Sequence, residues 1–538
     1  MGLGQSVAPF WTAEASTVGF AMTLVFAAID ARAGSTSTHT GRRLAWALLL
    51  VCASESAFAA FQWSTDRRAL FGRKSDFQTM PFGSYVNHNN FAGLVSLGVP
   101  LAVAMAIGDL RRSGKLTAKG LGLLGLAAGL SISTLASGSR GGAVALLLGL
   151  VVLTIISSKL LGRGASRRSY LVPAAISLGI GALVLGALPA KTRTRLSDLF
   201  GHDGSASYRV EMGRTAVRAF SHRPLLGSGL GAFADAAAPY KQGHGDVRSE
   251  RAEADLIEFA VEGGGVLMAG LALFMRFAWK AARLEMVHGR DRSGRWLRAG
   301  AVSACATMMF HSFFDFGFRI PANALAFAVL LGIATAAGSD TAGAARAATG
   351  ALKPRAFLAF VAIVVAACGY RSVGAARERD ALSRRSAESR LDALQSLVDA
   401  HPYLDGARRQ RGLAWMALAY NRGLYDPIRL KRARADLEAV VRARPKWGEA
   451  RADLGWIKYY SGETLEAKIE MGKAAQCDPT HLGLGIAHAQ LLAWSGDILG
   501  AVDEVSRLRR VNPPWTRASA QDLASSWTQN SSLLSKIP

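Results

Sequence analysis

Ten stretches of this sequence are apolar enough to cross a lipid bilayer, and short basic loops separate them: 15–31, 44–62, 90–108, 120–136, 141–158, 170–188, 256–279, 299–317, 320–337 and 356–373. A span needs about 20 mostly apolar residues. In hydrocarbon every backbone polar group must be satisfied within the segment, so such runs read as helices. The weakest are the first, with Glu14 and Asp30 at its edges, and 256–279, with Glu258 and Glu262 near its start. The N-terminus lacks a basic n-region, so no cleavable signal peptide is expected.

Composition narrows the reading further. Half of the 538 residues are hydrophobic and 19% are charged, below the ~25% usual for soluble domains. That excludes a wholly disordered chain, and four cysteines exclude a disulfide scaffold. A net charge of +24 would ordinarily suggest nucleic acid. With the N-terminus outside, however, the five inner loops hold twenty Lys and Arg and the short outer loops hold six. This is the positive-inside distribution, so the charge is topological and no nucleic-acid partner is expected. The expected fold is all-α: a polytopic membrane bundle of about ten spans over 1–373, with a helical solenoid over 374–538. The loop 189–254 and the tail then share the outer side, the periplasm of a bacterial inner membrane. Cys52, Cys305 and Cys368 fall in spans, and Cys477 is compatible with an unpaired buried thiol.

The tail repeats. Pro445, Pro479 and Pro513 are 34 residues apart, and so are Ala433, Ala467 and Ala501. That period resembles the tetratricopeptide pattern, as do Leu454, Gly455, Ala467, Met471 and Ala474. Small residues let paired helices approach, and proline ends the second helix. Three repeats, preceded by a capping helix at about 377–400, would stack into a solenoid offering a face to a protein partner or a glycan.

Polar motifs gather where spans meet the outer loops. Gly83–Gly93 (GSYVNHNNFAG) places amides at a span mouth, where Asn87 and Asn90 would bond sugar hydroxyls or cap the helix. Ser137–Gly142 contains Arg140, either an anion ligand or an anchor snorkelling to the interface. In the outer loop, Arg209, Arg214 and Arg218 are spaced by five and four and would lie broadly on one helix face, with Met212, Val217 and Phe220 on another. Guanidinium forks suit phosphate oxygens, and Arg209 is the leading candidate. Pro224–Phe233 (PLLGSGLGAF) has no preceding strand and no Lys-Ser/Thr, so it is a turn rather than a nucleotide loop. Asp255, Glu258 and Glu262 either favour a helix start or supply a general base. His311, Asp315 and Arg319 lie in a hairpin between spans, as a satisfied polar network or as chemistry.

Taken in order, GSYVNHNNFAG followed by Val99-Pro100, GSRGG, PLLGSGLGAF, the acidic run into VEGGG, and HSFFDFGFRIPANA resemble the O-antigen ligase and O-antigen polymerase superfamily over roughly 80–340. The resemblance implies a metal-independent, inverting glycosyltransferase without cofactor at the periplasmic face. Its donor would be a glycan on polyprenyl diphosphate, and its acceptor a glycan or lipid. Polymerisation of an exopolysaccharide or O-antigen is expected, with ligation to lipid A core as the alternative. Membrane lipids and polysaccharide-assembly proteins are implied as further partners. Members often carry His-Asn-Asp ahead of the Glu-Gly pair. Alignment on Glu262-Gly263 puts Glu253 at that His and Ala254 at the Asn, and retains Asp255. Glu253 then becomes the expected base, with Arg140 and Arg209 stabilising the leaving diphosphate. Asn87, Asn90, Arg214, Arg218, Asp255, His311, Asp315 and Arg319 would bind substrate. A carrier transporter and a non-catalytic scaffold are the competing functions.

Overall fold

The computed structural model describes residues 38–65, 69–70, 73–74, 82–161, 204–242, 251–288, 292–336, 387–400, 404–421, 424–512 and 514–538, with isolated residues at 22, 25, 26 and 179. The described chain is all-helical apart from two minimal antiparallel ladders, Ala69–Leu70 with Arg73–Lys74 and Tyr420–Asn421 with Leu424–Tyr425. Five of its helices are long and apolar enough to cross a membrane. They are α1 (Thr38–Ser64), α2 (His88–Ser113), α3 (Ala118–Ala136), α4 (Arg140–Leu161) and α7 (Asp255–His288). Between α4 and α7 lie α5 (Gly204–His222) and the short α6 (Phe233–Ala237). The runs 299–317 and 320–337 become α8 (Arg292–His311) and α9 (Pro321–Thr335). The expected spans 15–31, 170–188 and 356–373 fall almost wholly outside the described residues.

Helix α2 is the axis of the bundle, buried along nearly its whole length and packed by α3, α4 and α8. Small residues let it be so central. A Cβ on Gly98 would stand 2.7 Å from Leu130, and one on Gly300 would stand 2.7 Å from Ala104. In lipid, where there is no hydrophobic drive between helices, such close approach is what holds them together. Asn87 caps α2, its side chain accepting the Asn89 N–H at 2.9 Å, and Gly114 ends it at φ 71°. Asn90, expected as an alternative cap, is buried one turn inside the helix.

Helices α10 (Ala387–Ala400) to α18 (Ser531–Leu534) make up the C-terminal region. Its core is three helix pairs: α11 (Asp405–Ala419) with α12 (Pro427–Ala443), α13 (Gly448–Tyr460) with α14 (Thr464–Cys477), and α15 (Leu482–Trp494) with α16 (Ile498–Val511). Helix α17 (Arg517–Ser525) precedes the last short turn. Ala433, Ala467 and Ala501 are all completely buried, so the 34-residue period is a packing period. Helix α10 covers α11, as expected of a cap, and Cys477 is buried. Pro445 and Pro479 follow α12 and α14; Pro513 lies outside the described residues.

Candidate active site

Helix α7 does not run straight. Gly264 has φ 64° and ψ −167°, which breaks the helix after Gly263. In an unbroken helix the N–H groups of Gly265 and Val266 would bond the carbonyls of Val261 and Glu262. Here Gly265 and Val266 donate instead to Pro224 and Leu225, at 2.7 and 3.1 Å. The freed carbonyls of Val261 and Glu262 accept from Ser228 and Gly229, at 3.0 and 2.8 Å. The glycine-rich turn is therefore inserted into the hydrogen-bond ladder of α7, and these four backbone groups of the helix all keep a partner. Both partners must be glycine at the contact. A Cβ on Gly227 (φ 67°) would lie 2.3 Å from the Glu262 carbonyl oxygen, and one on Gly264 would lie 2.3 Å from that of Leu225. The two glycine motifs are halves of one joint.

The short first segment of α7 carries the acids. Glu258 and Glu262, one turn apart, project towards Arg319. Arg319 Nε lies 3.1 Å from Glu258 Oε1, and its Nη2 bonds Glu262. The guanidinium stacks 4.7 Å from the centre of the Phe259 ring. Glu258 also accepts from Arg251 at 3.0 Å and from the Ala252 N–H at 3.1 Å, while Glu262 accepts from the Phe233 N–H at 3.2 Å. Asp255 accepts from the Phe318 N–H at 2.8 Å, and its own N–H donates to the Asp315 carbonyl at 3.1 Å. The acidic run and the hairpin 311–320 are thus clamped together. Two buried carboxylates need a charge between them, and Arg319 supplies it. Arg319, expected either to bind substrate or to join a polar network, is held by these two carboxylates.

The remaining motifs meet the same mouth. Asn323 on α9 donates to the Asn90 carbonyl at 2.9 Å and accepts from the Tyr85 hydroxyl at 2.8 Å. A Cβ on Gly93 would touch Asn323 and His311, and one on Gly141 would touch Phe314. Arg140, half-buried, opens α4 beside this contact. Tyr85 and Asn323 were not anticipated; an asparagine within an apolar run was the available signal.

Four expectations need correction. The hairpin does not form a satisfied network. His311 and Asp315 are buried 4.0 Å apart, yet both imidazole nitrogens and both carboxylate oxygens of Asp315 lack a hydrogen-bond partner among the described residues. Arg209, Arg214 and Arg218 do not share a face: five residues turn a helix by about 500°, leaving Arg214 about 140° from Arg209. Met212, Thr215, Ala216 and Ala219 are the buried side of α5. Arg214 points outward and Arg218 is partly buried; both approach Glu211, at 3.6 and 3.5 Å, and Arg218 also donates to the Tyr240 carbonyl at 3.4 Å. Val217, expected on the apolar face, is exposed. Asn87, expected to bind substrate, commits its side chain to the cap of α2.

Arg209 flanks the buried side and is half-buried. Among the described residues it has neither an ion pair nor a hydrogen bond, and its charge bears on Glu253, His311 and Asp315. Glu253 stands just before α7 at φ 58°, a left-handed conformation that a non-glycine residue rarely adopts. Burial pushes its carboxyl above the ordinary glutamate range; Arg209 pulls it back, and Glu258 adds to the rise. Among the described residues no group of three or more His, Cys, Asp or Glu is placed to hold a metal ion.

A comparison with curated proteins gives no match. Residues 124–275 match the family model described as O-Antigen ligase. That segment runs from within α3 through α4, α5, the glycine turn and about the first two-thirds of α7, so it contains Arg140, Arg209, Glu253 and the glycine joint. Over those residues the membrane region is therefore similar to the O-antigen ligase family.

Proposed function

We propose that the protein transfers a glycan from a polyprenyl diphosphate carrier to an acceptor hydroxyl at this mouth, and that the transfer polymerises surface-polysaccharide repeat units. One observation carries the reading. Arg209, a half-buried guanidinium with no ion pair or hydrogen bond among the described residues, acts through its charge on Glu253, a strained and partly buried carboxylate. The family match over the same residues supports a membrane protein that processes glycans.

The chemistry follows from these groups. The acceptor oxygen attacks the anomeric carbon and the bond from that carbon to the diphosphate oxygen breaks, with inversion. The diphosphate leaves with the electron pair, and the acceptor proton passes to Glu253. Arg209 stabilises the charge developing on the diphosphate, as preorganised donors do in a site shielded from water. Arg140 at the positive end of α4 adds to the same field. The opposite end of the bundle gathers Arg42, Arg112 and Lys119, which under the positive-inside rule supports reading the mouth as outward-facing, periplasmic in a bacterial inner membrane. A lipid-borne donor reaches such a mouth from the bilayer. The C-terminal helices, read as tetratricopeptide-like, are where polysaccharide-assembly partners would attach.

The test is deletion of the gene, with gel analysis of surface-glycan length, followed by reconstitution with polyprenyl-diphosphate-linked repeat units. Single repeat units left on carrier or core support polymerisation; full-length chains accumulating on the carrier support ligation. Unchanged glycans in the deletion strain would overturn both. In the reconstituted system Arg209→Ala should lower kcat by on the order of a hundredfold. Wild-type turnover in that variant would remove its role.

A further inference from the structure

The C-terminal repeats rest directly on the glycine turn side of the site, through buried charge pairs that alternate in sign. Arg444, at the end of α12, donates from Nε and Nη2 to the two carboxylate oxygens of Asp235 on α6, both at 3.0 Å. Asp478, at the end of α14, accepts from Lys241 Nζ at 2.8 Å. Arg444 and Asp478 are 34 residues apart, so they occupy the same place in successive repeats. The side chains of Lys241, Asp478 and Asp235 are at most 4% exposed, and that of Arg444 is 10% exposed. Arg444 also stacks 4.3 Å from the centre of the Trp447 ring.

A buried ion pair contributes little net stability compared with an apolar contact, but mispairing it is severely unfavourable. Two pairs of opposite sense therefore fix register: sliding the repeats by one unit would bring Asp478 against Asp235. What this register holds is close to the chemistry. Asp235 is two residues from Phe233, whose N–H donates to Glu262, and Glu262 holds Arg319. Phe233 in turn follows the turn threaded into α7.

We propose that Asp235, Lys241, Arg444 and Asp478 form a charge-keyed dock through which the C-terminal repeats position the wall of the mouth site. They are positioning residues; none of them lies among the groups assigned to the reacting atoms. The effect on turnover rests on the glycan-transfer reading above, whereas the effect on the turn does not.

The full-length protein in phospholipid nanodiscs tests this with two measurements: amide hydrogen exchange over 224–233, and transfer from a polyprenyl-diphosphate-linked donor. Arg444→Asp and Asp235→Arg singly should speed exchange at Ser228, Gly229 and Phe233. They should lower kcat by about tenfold or more, as small misplacements in active sites do, with KM nearly unchanged. The double variant Asp235→Arg/Arg444→Asp restores the pair and should recover both. If a single variant fails to fold, Lys241→Met/Asp478→Met removes the second pair without leaving a buried charge, and should produce the same changes in weaker form. Unchanged exchange in the variants that fold, or faster exchange with unchanged turnover, would overturn the proposal. If the wild type transfers nothing while exchange still responds and recovers, the glycan reading fails and the dock stands.

Discussion

The mouth of the membrane bundle and the C-terminal repeats use polar residues in opposite ways. In the repeats, away from the dock, charges pair at partly exposed positions: Arg409 with Asp453 at 2.6 Å, Arg451 with Glu470 at 2.6 Å, Arg434 with Glu438 at 2.7 Å. Their buried layer is alanine, leucine and methionine at a fixed period. At the mouth the polar groups are the buried layer. Glu258, Asp255 and His311 have no exposed surface, and the side chains of His311 and Asp315 lack hydrogen-bond partners among the described residues. Burying polar groups without partners is costly, and proteins retain such sites where something else requires them. The repeats are built for stability and register, and the mouth is built around a task.

Removing the shared cation should separate the two regions most widely. Arg319→Ala leaves Glu258 and Glu262 buried together and should destabilise the protein by about 3–5 kcal/mol. Arg442→Ala removes an exposed cation 4.0 Å from Glu438 and should stay within about 0.5 kcal/mol. Chemical unfolding in detergent measures both, and equal effects would erase the contrast. Glycine positions should differ next. Gly227→Ala drives a Cβ into the Glu262 carbonyl and should cost on the order of 3 kcal/mol, along with transfer activity. Gly462→Ala meets nothing within 4 Å and strains only its backbone at φ 84°, a loss of about 1 kcal/mol.

Acid should then affect the regions differently. Glu253 must be ionised to act as a base, and burial raises its carboxyl. Turnover should therefore fall as pH drops through a value above the ordinary ~4.3, before the fold is affected. Glu253→Gln should lower turnover by on the order of a hundredfold and abolish that limb; full activity would pass the role to another group. The smallest effect is in the repeats. Burial pushes the Glu504 carboxyl up, but hydrogen bonds from Arg507 and the His488 imidazole 3.4 Å away prevail and hold it at about 2. A depressed carboxyl contributes fully above its unfolded value and loses that contribution as pH falls towards 2. Thermal melts between pH 5 and 2 should show this slope, and Glu504→Gln should flatten it.

Apolar run length announced the helices, and the fixed 34-residue period announced which alanines are buried. Both are local properties, because a span must satisfy its own backbone and a repeat must fit its neighbour. The site was legible in part. Its segments were recognisable by composition, and the charge of Arg209 acts on Glu253, whereas Arg214 is exposed because spacing alone misjudged its helical angle. Nothing in the order of residues says that Glu258 and Glu262 share Arg319 from 57 or more positions away, or that one glycine motif threads another. Those pairings arise when distant segments pack. Periodicity is written along a helix, but the partner of a buried charge and the backbone that fills a helix break are chosen by whichever segment arrives from elsewhere in the chain.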